Sequence, residues 1–269
     1  MIIFKSINKL VKKVNFKADI GFVPTMGSLH KGHISLIKKS QKMCQKTIVS
    51  IFVNPSQFNK FSDYKMYPRN LKKDLSILKK LKIDYALVPT KKNIFKNKKM
   101  MKIKISTKYK IMCAKFRPGH FEGVLGVINQ FLKKIKAKYI FLGEKDFQQV
   151  FLIKNFVKEK FKTQVFSCKT IRDINTLPFS SRNKLLKPSQ IVIASQVSKL
   201  IKKLKLSIKK DFKNKNKIFI TMRTLNKMNI KVQYLEIKNE KNLSDLFNKN
   251  NFKIFVAYFI NNVRLIDNF

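Results

Sequence analysis

The amino-acid sequence predicts an α/β protein in which strands of a parallel sheet alternate with helices, followed by a smaller α+β region. The main observation is that short apolar runs alternate with segments whose apolar residues have helical spacing. A second observation is a change in composition, since all seven glycines lie at or before residue 143 and all three histidines at or before residue 120. We therefore expect two domains, residues 1–175 and residues 176–269.

Five strands are predicted from the apolar runs: Ile20–Pro24, Ile48–Val53, Asp84–Val88, Tyr139–Leu142 and Val165–Ile171. Helical spacing predicts four helices between or beside them: Gly32 to about Cys44, Leu71–Leu81, Gly123–Ile135 and Phe147–Phe156. Residues Lys91–Lys104 read as a Lys-rich connection. Because a helix follows most of these strands, the sheet is expected to be parallel.

The C-terminal region begins with a long predicted helix, for which Ser189 is a plausible N-cap. Its apolar face consists of Ile193, Val197, Leu200, Ile201 and Leu204. Three strands are predicted after it: Val232–Ile237, Ile254–Ile260 and Val263–Ile266. This order of elements is typical of a small α+β unit.

The net charge is strongly positive, at +46, with 60 Lys and Arg against 14 Asp and Glu. Such a balance, taken alone, suggests nucleic-acid binding. However, only six of the basic residues are Arg, Trp is absent, and no basic tail stands apart from the rest. We interpret the composition as the mutational bias of an A/T-rich genome and expect no specific nucleic-acid partner, with selection for nucleic-acid binding as the alternative.

The sequence carries no signal of a membrane or secreted protein. No apolar run reaches the roughly 18 residues needed to span a bilayer, and lysines interrupt Met1–Phe16. The three cysteines, Cys44, Cys113 and Cys168, are scattered and form no disulfide framework. A cytoplasmic protein is therefore expected.

The strongest motif is Pro24–His33, which joins a predicted strand to a predicted helix and holds two of the three histidines. Ligands bind at such strand ends in parallel sheets. A helix start offers free N–H groups and a positive dipole end to phosphate. His30 and His33, three residues apart, lie on one side of a helical turn and can donate to phosphate oxygens, stabilising a departing pyrophosphate.

Two further motifs follow strands or open helices. The segment Ser50–Phe58 leaves a strand, so Asn54 and Gln57 are expected to point their amide groups into the cleft. The segment Arg117–Val124 is a glycine-bounded loop that opens a helix. Taken alone, each is equally well explained as an ordinary strand end or tight turn.

The last two motifs carry groups suited to phosphate. In Gly143–Gln149, a glycine permits close approach of the backbone to a ligand, and Lys145 supplies a point charge. In Phe179–Asn183, two hydroxyls accompany the guanidinium fork of Arg182. The second of these could also be an exposed turn.

Together these motifs resemble the pantoate–β-alanine ligase family, within the nucleotidylyltransferase superfamily that carries a His-x-Gly-His signature. The resemblance runs from Ile20 to Asn183 and returns at Arg264–Asn268. It implies a Rossmann-like N-terminal domain, a smaller C-terminal lid domain and a homodimer. The implied reaction uses ATP and Mg²⁺ to convert pantoate to pantoyl adenylate, which β-alanine then attacks to give pantothenate and AMP.

The resemblance also implies roles for particular residues. His33 is the implied proton donor and His30 its partner, with Lys145 and Arg182 as further catalytic residues. The implied ATP-binding residues are Met26, Gly27, Ser28, Leu29, His30, Lys31, Gly32, His33, Gly143, Glu144, Lys145, Asp146, Ile171, Phe179, Ser180, Ser181 and Arg182. Gln57 and Gln149 are implied to bind pantoate, Gln57 also near β-alanine. Asn54 and Tyr67 are implied pocket residues, and Asp74 is a candidate for contacting Mg²⁺.

Two positions depart from the family pattern. Lys31 stands where the family usually has an acidic residue, and its side chain is expected to face solvent. Asn175-Thr176 replaces an Asp-Gly turn. Because a β-branched residue adopts positive φ only at a cost, the turn here is expected to differ in conformation.

Two alternatives stay open at this point. The first is another member of the same superfamily, one that transfers a nucleotidyl group to a phosphorylated acceptor. The second, from a different class, is a basic nucleic-acid-binding protein with a decayed active site. The sequence lacks the Lys-Met-Ser-Lys-Ser loop that an aminoacyl-tRNA synthetase would need.

Overall fold

The computed structural model describes residues 1–95, 103–212 and 216–269. The chain packs as two compact units, the first formed by Met1–Lys110 and Ala114–Lys169 and the second by Ile111–Cys113 and Thr170–Phe269. Packing thus places residues 170–175 in the second unit, whereas the sequence placed them in the first domain. The domain division at 175/176 stays a prediction.

The first unit is built on a parallel sheet, as expected from the alternation of strands and helices. Its six strands are β1 (Ile2–Phe4), β2 (Ile20–Thr25), β3 (Lys46–Ile51), β4 (Tyr85–Leu87), β5 (Tyr139–Gly143) and β6 (Gln164–Cys168). The strand order is β1-β4-β3-β2-β5-β6, so β2 and β5 lie side by side at the centre. The connections run outward in opposite directions from β2 and β5, which makes their carboxyl ends the topological switch point.

Helices follow the strands of this unit. They are α1 (Ile7–Lys13), α2 (Lys31–Met43), α3 (Phe61–Met66), α4 (Leu71–Lys80), α5 (Lys91–Phe95), α6 (Met112–Phe116), α7 (His120–Leu132) and α8 (Phe147–Lys160). Short 3₁₀ turns lie at Pro55–Gln57, Thr107–Tyr109 and Glu144–Asp146. The central strands are buried on both faces, with Phe22, Ile48 and Ile140 fully enclosed, as the near-continuous apolar runs predicted.

The second unit is α+β. Two helices, α9 (Pro188–Lys210) and α10 (Asn216–Lys227), accompany the antiparallel sheet β7 (Lys231–Asn239), β8 (Phe252–Ile260) and β9 (Val263–Asn268), and a 3₁₀ turn lies at Ser181–Leu185. The apolar face of α9 packs into a core with β8, in which Val197, Ile201 and Val256 are fully buried.

Some sequence-based boundaries were wrong. The cap of α9 is Lys187 rather than Ser189, because Pro188 occupies the first helical position and the Gln190 side chain accepts from the Lys187 amide at 2.8 Å. Helix α7 begins at His120 rather than Gly123, and β6 ends at Cys168, before Ile171. Within the expected Lys91–Lys104 connection, Lys91–Phe95 is helical, and residues 96–102 lie outside the described residues.

The remaining expectations concern cysteine and the membrane. Cys44, Cys113 and Cys168 are all free thiols, in agreement with the absence of a disulfide framework. Across the described ranges, every helix is too short or too polar to cross a membrane.

Candidate active site

The backbone of the loop after β2 is hydrogen-bonded to a buried carboxylate. Asp74 is 2 % exposed, and its two oxygens accept from the backbone amides of Ser28 at 2.8 Å and Leu29 at 2.7 Å. Gly27 has a φ of +75°, and a Cβ at this position would lie 2.8 Å from Asp74 Oδ2. Only glycine therefore meets both the conformation and the space of this turn.

The loop delivers two histidines to the N-terminus of α2. His30 is the N-cap, and its Nδ1 accepts from the Gly32 amide at 3.2 Å. His30 thus precedes the first helical turn, whereas the sequence placed both histidines on the helix. The ring centroids of His30 and His33 are nonetheless 4.0 Å apart. Because Nδ1 of His30 accepts, its Nε2 carries the proton in the neutral ring and can donate to an anion.

The N-terminus of α2 adds its own positive potential to the histidine pair. The helix runs over 13 residues from Lys31, and its first amides carry the positive end of the helix dipole. Lys31, expected to face solvent, is indeed exposed. An anion placed here would meet amide N–H groups and imidazole donors together.

A second loop leaves the adjacent central strand. Strand β5 ends at Gly143, the turn Glu144–Asp146 follows, and α8 starts at Phe147. A Cβ on Gly143 would meet no atom within 4 Å, so the space above this strand end is open. The Lys145 ammonium is 3.5 Å from the Asp146 carboxylate. The structure therefore places the Lys145 loop and the His30 loop at the carboxyl ends of neighbouring strands.

The two glutamines at the start of α8 differ in their surroundings. Gln148 is buried, and its amide donates to the Tyr109 carbonyl at 3.1 Å. Gln149, which the family resemblance assigns to pantoate, is half-buried. A substrate contact from Gln149 stays a prediction.

The turn after β3 contains Asn54 and Gln57, both buried. The Asn54 side chain accepts from the Ser56 amide and hydroxyl, at 3.3 Å and 2.8 Å, and donates to the Gly123 carbonyl at 3.1 Å. Asn54 thus braces the turn against α7, and its predicted contact with substrate stays a prediction. Tyr67, also buried, packs edge-on against Phe58 with ring centroids 5.6 Å apart.

In the second unit, residues 171–179 fold back on themselves through one antiparallel bridge. Arg172 pairs with Pro178, and the Phe179 amide donates to the Ile171 carbonyl at 3.1 Å. The Ser180 side chain accepts from the Arg182 amide at 3.3 Å and caps the following 3₁₀ turn, in which Ser181 is buried. These hydrogen bonds therefore fix the backbone conformation at Phe179, Ser180 and Arg182.

Thr176 has a φ of +71° despite the cost of this conformation for a β-branched residue, and a difference from the family's Asp-Gly turn stays a prediction. Arg172 and Ser198 both donate to the Thr176 carbonyl, at 2.9 Å and 2.8 Å. The Asp173 side chain accepts from the amides of Asn175 and Leu177 across the same turn, at 2.8 Å and 2.9 Å. These contacts hold threonine in the strained conformation that glycine adopts without cost.

Sequence reasoning missed the structural role of two carboxylates that organise these loops, Asp74 and Asp267. Asp267 forms a two-pronged ion pair with Arg172, at 2.8 Å for both N–O distances. With only 14 acidic residues against 60 basic ones, a carboxylate that persists in this composition was an available signal.

Where the chain is described, no three side chains of the His, Cys, Asp and Glu types converge as metal ligands. Both Asp74 oxygens already accept backbone hydrogen bonds. A metal contact from Asp74 stays a prediction.

At its switch point, the parallel α/β sheet carries a loop that attracts anions and two imidazoles. These features define a candidate phosphate-binding site. Residues 3–269 match the family model described as pantoate-beta-alanine ligase. The chain therefore belongs to the pantoate–β-alanine ligase family.

Similar proteins span the whole chain. A pantothenate synthetase of Francisella tularensis subsp. mediasiatica (strain FSC147) is 41 % identical over 269 residues, covering 99 % of this chain and 94 % of that protein. A crystal structure of pantoate-beta-alanine ligase from Francisella tularensis, complexed with beta-gamma ATP and beta-alanine, is similar with a TM-score of 0.87 and 39 % identity, over 100 % of this chain and 97 % of that one.

A second solved structure supports the fold at greater distance in sequence. Pantothenate synthetase from Thermus thermophilus matches with a TM-score of 0.93 at 26 % identity, over 100 % of this chain and 99 % of that one. The Rossmann-like parallel sheet with a small antiparallel C-terminal sheet is thus common to this chain and its relatives.

Proposed function

We propose that this chain is a pantoate–β-alanine ligase that joins pantoate to β-alanine with ATP and releases AMP and pyrophosphate. The observation that carries the proposal is the His30–His33 pair, with rings 4.0 Å apart at the N-terminus of α2. Family membership over residues 3–269 supplies the substrates, since a relative was solved with an ATP ligand and beta-alanine.

In the first step, a carboxylate oxygen of pantoate attacks the α-phosphorus of ATP. The bond from that phosphorus to the bridging oxygen breaks, and pyrophosphate leaves with the bonding electron pair. Negative charge therefore builds on the departing oxygens. His33 as proton donor, His30 through its Nε2–H and the first amides of α2 supply positive partners for that charge.

In the second step, the amine of β-alanine attacks the acyl carbon of pantoyl adenylate. The bond between that carbon and the AMP oxygen breaks, AMP leaves with the bonding electron pair, and the nitrogen releases a proton to the solvent as the amide forms. Gln57 and Gln149 are assigned to hold pantoate, so that its carboxylate first meets phosphorus and its acyl carbon later meets the amine. Burial of Gln57 in a braced turn supports this assignment.

Further residues are assigned to ATP. Lys145, in the turn Gly143–Asp146 after β5, is a cation at a central strand end and is proposed to bind phosphate oxygens. The backbone of Ile171 is proposed to contact adenine. Phe179, Ser180, Ser181 and Arg182 are proposed to bind ATP, with Arg182 as a two-pronged donor to phosphate.

We propose that Mg²⁺ is a cofactor of this chain, where it would neutralise part of the phosphate charge of the nucleotide. Mg²⁺ usually takes only one or two protein carboxylates besides phosphates and water. Asp74 is the assigned contact. By bracing Ser28 and Leu29, Asp74 also keeps the loop that would receive the phosphates in position.

A homodimer in the cytoplasm is proposed from the family resemblance. The basic surface is assigned no nucleic-acid partner. The charge is spread along the chain as lysine, and the motifs of the ligase family are intact rather than decayed.

The deciding experiment is isotope exchange between ATP and pyrophosphate in the presence of Mg²⁺, with and without pantoate. Exchange that requires pantoate, together with pantothenate formation on adding β-alanine, is the expected result. Exchange that requires a phosphorylated acceptor instead would favour another nucleotidylyltransferase. Retention on RNA without any exchange would favour a nucleic-acid-binding protein.

A further inference from the structure

The backbone carbonyl of Gln57 accepts hydrogen bonds from two side chains of one distant loop. Arg117 Nη2 donates to this oxygen at 2.9 Å, and His120 Nδ1 lies 2.7 Å from it. Both donors come from the segment Arg117–Val124, which comprises a loop and the first turn of α7, and to which neither the ligase reaction nor the assigned substrate contacts give a role. The carbonyl belongs to a residue assigned to pantoate.

The contact between the two side chains fixes the proton on His120. Arg117 Nη1 lies 3.0 Å from His120 Nε2, and a guanidinium nitrogen can only donate. Nε2 therefore accepts, so the ring is neutral and its proton resides on Nδ1. That proton points at the Gln57 carbonyl, which can only accept. Arg117, His120 and the Gln57 carbonyl thus form a closed triangle with all three hydrogen bonds satisfied.

The same two segments are joined at three further points. Asn54 donates to the Gly123 carbonyl at 3.1 Å, and Asn59 donates to the Pro118 carbonyl at 2.8 Å. A Cβ at Gly123 would lie 2.5 Å from the Ser56 carbonyl oxygen, so only glycine permits this approach. The turn that carries Gln57 is therefore fastened along its whole length to the start of α7.

These contacts control the direction of the Gln57 side chain. The backbone amide of Gln57 donates to the backbone carbonyl of Asn54 at 3.2 Å. This bond fixes the peptide group before Gln57. The Arg117–His120 pair fixes the peptide group after it. With both peptide planes held, the Cα–Cβ bond of Gln57 has one direction, and the remaining freedom lies in its side-chain torsions.

We propose that Arg117 and His120 are positioning residues that orient Gln57 and thereby set the affinity for pantoate. The proposal rests on the proposed function, which assigns Gln57 to pantoate. Neither residue is assigned a contact with substrate. They act by fixing the Gln57 backbone. Because the Gln57 side chain is then already oriented, it can bind pantoate without a further loss of conformational freedom.

The test compares variants in the ATP–pyrophosphate exchange assay at varied pantoate and varied ATP. His120→Leu and Arg117→Met each remove donors to a buried carbonyl, and should raise the KM for pantoate about tenfold or more. The KM for ATP should change by less than about twofold. His120→Asn, whose amide nitrogen takes the place of Nδ1, should recover most of the pantoate affinity. Arg223→Met, at an exposed arginine, is the matched control.

A double-mutant cycle with Gln57→Ala separates positioning from general damage. If His120 acts through Gln57, His120→Leu should add little to the pantoate KM once Gln57 is alanine. Equal losses for ATP and pantoate, or effects that add fully in the double variant, would overturn the proposal. A Gln57→Ala enzyme with unchanged pantoate KM would overturn it as well.

Hydrogen exchange provides a readout that needs no substrate. The amides of Asn54 and of residues 56–59 should exchange faster in His120→Leu than in Arg223→Met, while those of β2 and β5 stay protected. Unchanged exchange at Asn54 and residues 56–59 overturns the positioning role even if the ligase activity is established. Absence of pantoate-dependent exchange in the unaltered chain would instead overturn the proposed function, and hydrogen exchange would still decide the positioning role.

Discussion

Asp74 Oδ2 accepts a hydrogen bond of 2.8 Å from the backbone amide of Ser28, a residue 46 positions earlier in the chain. Together with the bond from Leu29, it fastens the start of α4 to the loop that precedes the histidines. The geometry of the candidate phosphate site therefore depends on a carboxylate that is itself buried.

Asp74→Asn should destabilise the protein and weaken ATP binding. An amide can accept with only one atom, so one backbone N–H would face an NH₂ group, at a cost of about 1–3 kcal/mol. The free energy of unfolding in urea and the KM for ATP measure the two effects. Asp245→Asn, at an exposed carboxylate paired with Lys238, is the control and should cost less than about 1 kcal/mol. Equal stability of both variants would show that the loop does not need Asp74.

His33→Ala should slow pantoate-dependent exchange by roughly 10²–10³-fold, the scale for loss of one transition-state donor. Its melting temperature should stay close to that of the unaltered chain, because His33 is only half-buried in the first turn of α2. The exchange rate at saturating substrates is the measurement. A rate near that of the unaltered chain would remove His33 from the mechanism.

Gln57→Ala and Gln149→Ala should each weaken the binding of pantoate more than the binding of ATP. Each amide is assigned to a pantoate hydroxyl or carboxylate, and a lost partner costs about 1–3 kcal/mol. The KM for each substrate is measured in the exchange assay, with Gln164→Ala at an exposed position of β6 as control. Losses of the same size for both substrates would assign these glutamines to folding.

Thr176→Gly should stabilise the second unit by about 1 kcal/mol. The left-handed conformation costs an L-residue roughly 1–2 kcal/mol, from which the extra freedom of glycine in the unfolded chain is subtracted. Asn229→Gly, at another positive φ of +55°, is the control and should gain less, since asparagine tolerates this region better. A lower melting temperature for Thr176→Gly than for the unaltered chain would contradict the strain argument.

Stability should rise as the pH increases from about 8 to about 10.5 through the titration of Lys205. Burial, reinforced by Lys253, lowers the pKa of Lys205 to about 8 from 10.5. In this window the unfolded chain binds more protons at this site than the folded one, so a higher pH favours folding. Urea unfolding at pH 8 and pH 10 should show a smaller rise for Lys205→Met than for Lys202→Met, at an exposed lysine of α9. Identical rises in the two variants would exclude a contribution of Lys205 to the pH dependence of stability.

Local patterns were sufficient for most of the fold. The strands β2, β3 and β5 are continuous apolar runs, and their loops are marked by glycine, proline and histidine. Strand β1 was not predicted, because three residues without alternation resemble any apolar tripeptide. Helix α10 was also missed, since its apolar residues are interspersed with polar ones.

The site was predictable as a set of loops but not as a set of contacts. The motifs indicated His30, His33 and Lys145, the family resemblance implied their roles, and the structure brings the His30–His33 rings together. The contacts that hold the loops join residues far apart in sequence, such as Arg172 with Asp267. A local pattern carries no information about such pairs, and the substrate roles of the site residues remain predictions.

The order of strands in the first unit also determines when that unit can assemble during synthesis. Strand β2 is synthesised early, yet its neighbour across the sheet centre is β5, with Gly21 opposite Tyr139. At about 5–20 residues per second, roughly 6–24 s separate the synthesis of these two partners. During that interval the edge of β2 that later pairs with β5 is unpaired, and apolar side chains of β2 and β3 remain exposed. The nascent chain is therefore expected to depend on chaperones until β5 is made, and the folded sheet to appear only late in translation.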